Sequence, residues 1–350
     1  MKSIKEQPGH IYKEIIFKRY LIIILLTILC TITSLLNLLI GSINIEFSEI
    51  IKILLGYSDN PIAQVAIWEY RMPWTLMALL VGGALGLAGL QMQTILNNPL
   101  ASPYTLGISA GAGFGAALAY VLGIKLLPNI PIEFVVPVNA FIFAFLTSLL
   151  IMLIGKIRGF TSETLVLGGI AISFLFQALL ALLQYYASEE VLQAIVFWLF
   201  GSLTKASLLK SQIIFCILII ITILLLLKSW KITALRLGDD RAKSLGINPE
   251  KLRLEVLVYT SILTSIAICF VGIIGFVGLV APHIARMLIG EDQRFLIIGS
   301  ILSGALILSA GAIISKIIVP GAIFPVGIVT SMLGVPFFLY LIIKGRKGIW

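Results

Sequence analysis

The chain has 350 residues, 59% of them hydrophobic and 12% charged, with a net charge of +9 and a mean hydropathy of +1.10. Soluble domains carry about 45–50% apolar and about 25% charged residues, so composition excludes a soluble enzyme and points to an all-α polytopic membrane protein. At about 20 residues per crossing, the length allows roughly ten spans with short connections.

Residues 1–19 are polar, with Lys2, Lys5, Lys13, Lys18 and Arg19 against Glu6 and Glu14, and an apolar run follows from Tyr20 to about Ile40. A secretory signal has a shorter apolar core and a small-residue cleavage site. Neither is evident, so a cytoplasmic tail and a retained first helix are expected. Apolar runs divided by charged or turn residues predict ten spans: 20–40, 72–96, 103–122, 135–155, 163–186, 207–227, 254–275, 277–290, 294–315 and 325–343. The eighth is too short to cross comfortably. Val191 to Phe200 reads as a short surface helix before the sixth span. Residues 20–345 are thus one transmembrane domain, with its main loop at 228–253.

Orientation follows from Lys and Arg. With the N-terminus cytoplasmic, all but six of the 25 basic residues fall inside; Lys52, Arg71, Lys125, Lys205, Lys210 and Lys316 fall outside. That bias supports an even number of spans with both ends cytoplasmic, and anionic inner-leaflet lipid accounts for the net charge without nucleic acid. Spans two to five and seven to ten run in opposite senses, as an inverted repeat would. LASP at 100–103 faintly echoes LVAP at 279–282.

In lipid, close helix packing relies on small residues. Gly82, Gly86 and Gly89 in span two, Gly111 and Gly115 in span three, and Gly272, Gly275 and Gly278 near the end of span seven supply them. These positions serve either packing or sliding of helices during gating. Asn98 and Pro99 break the chain after span two, and a polar corner there must be buried in protein or line an aqueous path. In the 228–253 loop, Asp239 and Asp240 suit the positive end of a short helix, Lys243 its negative end and Gly246 a left-handed stop. Asn248 then caps a further helix with Pro249 in its first turn. Such a helix at the membrane face reads as a docking element for a cytoplasmic partner.

Three other signals carry less. GISAG at 107–111 matches G-x-S-x-G, but that nucleophile needs a strand-to-helix turn and a histidine partner, and the chain has only His10 and His283. Cys30, Cys216 and Cys269 lie in apolar spans without metal spacing. His283, three residues before Arg286, fits a packing role better than a proton relay. No G-x-x-x-x-G-K-[ST] occurs, so energy for uphill transport would come from a partner or an ion gradient.

Four blocks in order resemble the FecCD permease family: RMPW through the NPLASP corner to GAGFG at 71–115, RLGDDRAKSLG at 236–246, GFVGLVAPHIAR at 275–286 and FPVGIVTSMLGVPFF at 324–338. These are membrane subunits of type II ABC importers for iron-siderophores, haem and vitamin B12. The resemblance implies a ten-helix permease in a bacterial or archaeal plasma membrane. Its partners would be a second permease subunit, identical or related, two ABC ATPase subunits and an extracytoplasmic substrate-binding protein. It implies no cofactor and no catalysis by this chain. Carried over by residue, it puts Arg71, Trp74 and Lys316 at the binding-protein face, where the family's second arginine is replaced by Trp74 and its frequent acidic residue by Ala312. It gives Leu235, Gly238, Asp239, Asp240, Arg241, Ala242, Leu245 and Gly246 to ATPase coupling. It gives Asn98, Leu100, Thr161 and Ser162 to a cytoplasmic gate, with Glu163 departing from the family's small polar residue. Ser173, Gln177 and Gln184 would line the path. The mechanism implied is alternating access. An ion-coupled secondary transporter is the competing class, and it would want acidic residues deep in the spans; here they sit almost wholly in loops.

Overall fold

The computed structural model describes residues 8–319 and 323–344; Lys2, Lys5, Glu6, Arg346 and Lys347 lie outside them. Every regular element among the described residues is a helix. Seven helices are long and apolar enough to cross a membrane, and three shorter apolar ones accompany them. The spans drawn from hydropathy all correspond to helices, but two of those helices are too short to cross on their own.

Helix α1 (Pro8–Leu39) starts within the polar tail, so residues 8–19 and the first span are one rod. Two small helices follow, α2 (Phe47–Leu55) and α3 (Pro61–Val65). They close over α1 through Ile50, Ile53, Ala63 and Ile67, a cap that hydropathy gave no reason to expect. A wider π turn, Ala66–Arg71, leads from α3 into α4 (Met72–Ile95) without a break. Pro73 explains the widening, since its ring would collide with the carbonyl four residues back, Glu69, in a regular helix.

After α4 the chain turns at Asn97, in the left-handed region at φ 45°, and passes back into the protein, where Ala101, Ser102 and Pro103 are buried. Ser102 and Thr105 satisfy one another there: Ser102 N–H donates to Thr105 Oγ1 at 2.9 Å, and that hydroxyl donates to Ser102 O at 2.9 Å. Helix α5 (Ile108–Leu122) then starts from left-handed Gly107, packed against Gly169 and Ser173 halfway along a neighbouring helix. At 1.5 Å per residue it is about 22 Å long, short of a bilayer core of about 30 Å. The expected third span is therefore helical only in its second part, and the buried stretch before Gly107 supplies the rest of the crossing.

The remaining elements are α6 (Ile132–Arg158), α7 (Ser162–Tyr186), α8 (Glu189–Leu199), α9 (Leu208–Leu227), α10 (Ser229–Leu235), α11 (Asp239–Ser244), α12 (Pro249–Val271), α13 (Val277–Ile289), α14 (Gln293–Ile317) and α15 (Val326–Lys344). Helix α8 is the short helix expected near 191–200. Helix α13 is a second half-helix, begun by left-handed Phe276.

The order long, half, long, long thus occurs twice, in α4–α7 and α12–α15, with the two sets running in opposite senses. Packing repeats with it: α5 lies on α6 and α7 as α13 lies on α14 and α15, and α4 packs on α14 as α12 packs on α6. The corresponding points are the left-handed starts Gly107 and Phe276. LASP precedes its half-helix while LVAP lies inside the other, so that echo is not in register.

Helix α4 is the inner axis, nearly all buried. A Cβ added to Gly82, Gly86 or Gly89 would overlap Gly304 O, Ser300 O or Gly278 O, and one on Gly111 or Gly115 would overlap Thr147 or Asn139 of α6. The helices touch at these five glycines. The triplet Gly272, Gly275 and Gly278 does not form such a face, because α12 ends at Val271; the three straddle the break before α13.

Candidate functional site

One end of the molecule collects ion pairs: Arg19 with Asp292 at 2.8 Å, Lys228 with Glu255 at 2.5 Å, Arg253 with Asp239 at 2.7 Å, and Glu291 with both Arg286 (3.2 Å) and Arg236. The loop expected to dock a partner stands here. Helix α11 is framed by Gly238 (φ 101°) and Gly246 (φ 75°), positions that an L side chain would strain. Asp239 and Asp240 occupy its first turn, and Lys243 its last. The Asn248 side chain accepts from Lys251 N–H at 3.0 Å and Pro249 opens α12. Each mark of local punctuation read from the sequence is present.

Leu235 and Ala242 face the protein interior, whereas Asp240, Arg241, Lys243, Leu245 and Gly246 are exposed. Leu237, absent from the expected set, is 55% exposed and with Leu245 adds an apolar contact to this surface. Asp239 is engaged. Arg253 donates from both terminal nitrogens to its two oxygens, at 2.7 and 2.8 Å, and from Nε to Ile95 O at 3.0 Å. The Arg253 hydrogen bonds hold the Asp239 carboxyl below the usual carboxylate range, against the opposing effect of burial.

Ile95 O belongs to the last turn of α4, next to the expected gate. There Asn98 Nδ2 donates to Ser162 Oγ at 3.1 Å, and Leu100 N–H donates to Asn98 Oδ1 at 2.9 Å. Thr161 caps α7 by accepting from Thr164 N–H at 3.2 Å. The four gate residues, far apart in sequence, therefore meet at one corner, with Leu100 exposed on it. Glu163 is exposed beside them. His283 is buried and donates to the Pro99 carbonyl, tying α13 to the same corner.

At the opposite end Arg71, Trp74 and Lys316 also come together, but Arg71 and Trp74 are buried. Arg71 donates to Leu38 O at 2.7 Å, to Leu39 O at 2.9 Å and to Ile43 O. Lys316 Nζ donates to Asn37 O at 2.7 Å and lies 5.3 Å from the centre of the Trp74 ring. Ile40 N–H takes Leu36 O at 2.9 Å. All four carbonyls that α1 leaves open at its end are thus satisfied, three of them by these two cations. A pocket of about 1110 Å³ opens above, lined by Glu69, Tyr70, Thr204 and Ile323 among others. Ala312 lies in the core and offers no surface contact.

Helix α7 is the least covered of the long helices together with α1. Gln177 is exposed, Ser173 and Gln184 are half-buried, and Ser173 Oγ donates to Gly169 O at 2.7 Å.

The FecCD transport family matches residues 26–344. The chain belongs to this family. An ABC transporter permease protein of Methanocaldococcus jannaschii is 40% identical to this FecCD chain over 97% of its length and 98% of the relative's. The hemin transport system permease protein of Yersinia pestis is 35% identical, over 92% of the chain and 95% of the relative. A solved structure described as an inward-facing conformation of a metal-chelate type ABC transporter superposes with a TM-score of 0.82 at 32% identity, covering 92% of this chain and 99% of that one. The FecCD chain is therefore a multi-pass permease, and its half-helices and uncovered α7 belong to a fold built for transport rather than for catalysis.

Proposed function

We propose that this chain is the permease subunit of an ATP-driven importer for an iron-siderophore or related metal chelate, working by alternating access. The observation that carries this reading is the coupling segment. Helix α11 stands exposed at the basic-rich end, framed by two left-handed glycines and joined through Arg253 to the turn before Asn98 and Ser162. An element of that kind suits a protein moved by a cytoplasmic partner. Relatives named for hemin and for Fe(3+)-citrate import support a chelate as cargo.

In this reading the basic-rich end is cytoplasmic and binds one of two ATPases through Leu237, Asp240, Arg241, Leu245 and Gly246. A second permease subunit faces α7, with Ser173, Gln177 and Gln184 along the shared path. The extracytoplasmic binding protein lands at the pocket end. Lys316 lends positive charge to its rim, while Arg71 and Trp74 set its shape from beneath. Closure of the ATPases moves α11 and opens or shuts the Asn98–Ser162 corner.

Reconstitution tests the proposal. With its ATPase and binding protein in proteoliposomes, the chain should accumulate a ferric siderophore only with ATP inside the ATPase compartment. Accumulation driven by an ion gradient without ATPase would reject it in favour of a secondary transporter. Uptake of haem or vitamin B12 alone would keep the mechanism and change the cargo.

A further inference from the structure

Two arginines from different helices grip the same turn of α4. Arg253, in the first turns of α12, spends Nε on Ile95 O and its two terminal nitrogens on Asp239 of α11. Arg286, on α13, donates from Nη1 to Gln93 Oε1 at 3.1 Å and from Nε to Glu291 at 3.2 Å, and Glu291 also takes Arg236 from the residue that ends α10. The coupling segment is thus held at both of its short helices, and both holds end within five residues of Asn98. Both arginine side chains are largely buried, at 15% and 18% exposure, while their acidic partners stay half open to solvent.

We propose that Arg253 and Arg286 are positioning residues that carry displacement of α10 and α11 into the gate corner. This rests on the reading of the chain as a permease moved by an ATPase. The chemistry of the guanidinium is what makes the arrangement work. Its planar fork presents donors in fixed directions, so one group can bind a carboxylate edge-on and still reach a carbonyl behind it. A lysine head in the same place keeps the charge but cannot hold both partners in a fixed relation. The ion pair alone would only anchor the loop. The third bond, to α4, makes the anchor a strut. Helix α4 is the buried axis of the molecule and ends at Ile95, two residues before the left-handed Asn97, so a pull on Ile95 or Gln93 acts directly on the corner that carries Asn98.

The test separates transmission from anchoring. Complexes with the ATPase are prepared carrying Leu100→Cys as a reporter at the gate or Ser244→Cys as one on α11. ATP hydrolysis and the rate of labelling by a water-soluble maleimide are followed with and without ATP and vanadate. With native arginines, both reporters should change labelling rate with nucleotide. With Arg253→Lys or Arg286→Lys, hydrolysis and the Ser244→Cys response should persist while the Leu100→Cys response falls about ten-fold, the usual effect of losing a charged hydrogen bond. The double swap Asp239→Arg with Arg253→Asp restores the ion pair without the bond to Ile95 and should leave the gate response lost. Recovery of that response by the swap, or a native response in both lysine variants, overturns the proposal. So does loss of the ATPase from a lysine variant, which would place that arginine in assembly. If the unsubstituted chain binds no ATPase at all, the importer reading fails first, and that result is distinct from the others.

Discussion

Arg71 shows how much one side chain's direction decides. A cation near the outer face reads from sequence as a surface charge, yet here it turns inward and closes the end of α1. Its replacement by Gln leaves buried carbonyls without donors, at a cost of about 2 kcal/mol or more. Thermal unfolding in detergent should show a lowered midpoint for Arg71→Gln, and an unchanged midpoint would return Arg71 to a purely surface role. Asp239 gives a residue-scale prediction on pH. Arg253 depresses its folded pKa below the unfolded value of about 3.9, so the stabilisation is present above that value and is lost only as pH falls through the lower, folded one. The stability lost on Asp239→Asn should accordingly stay flat from neutral pH down to about 5, above that unfolded value. A fall within that range would mean that Asp239 is not held below its ordinary pKa in solution.

Among the elements, α5 and α13 are where hydropathy and structure part company. Apolar runs report burial, and a buried loop closed on its own hydroxyls is as dry as a helix. Hydropathy therefore extends span three from 103 to 122, whereas the helix begins only at Ile108. The reason lies in Gly107, whose left-handed backbone sits against Gly169 of α7, a contact between residues far apart in sequence. The small-residue seams were legible, because glycine spacing on an apolar helix has few uses. Gly89→Ala would drive a methyl into Gly278 O, part of a backbone that cannot yield, and should destabilise by about 1–3 kcal/mol. Gly168→Ala meets only Ile154 side-chain atoms, at 3.2 Å and beyond, and should be tolerated. Comparing their unfolding midpoints checks the seam directly; equal effects would show that α4 and α13 have room to part.

For the whole molecule, the question is what covers α7. Its exposed face is mostly apolar, with Leu167, Phe174, Leu175 and Tyr185, and carries Gln177 among them, whereas the middle of the uncovered side of α9 has only Ile219, Ile220 and Ile223. In the reading proposed above, Gln177 faces the shared path and Ile220 faces lipid. A membrane-impermeant maleimide should therefore label Gln177→Cys in intact membranes and leave Ile220→Cys unmodified; the reverse pattern would put α7 against lipid. The class of the protein, the number of its apolar segments, the framed helix at 239–244 and the family itself were all set by the sequence. They rest on local chemistry: hydropathy, charge bias, glycine and proline punctuation, and short contiguous motifs. Tertiary structure alone decided that two crossings are helical over only part of their length, that Arg71 and Lys316 finish α1, that Asn98 meets Ser162, and that Arg253 and Arg286 join the coupling loop to α4. Each of these is a bond between residues remote in the chain, and no local pattern encodes the partner at its far end.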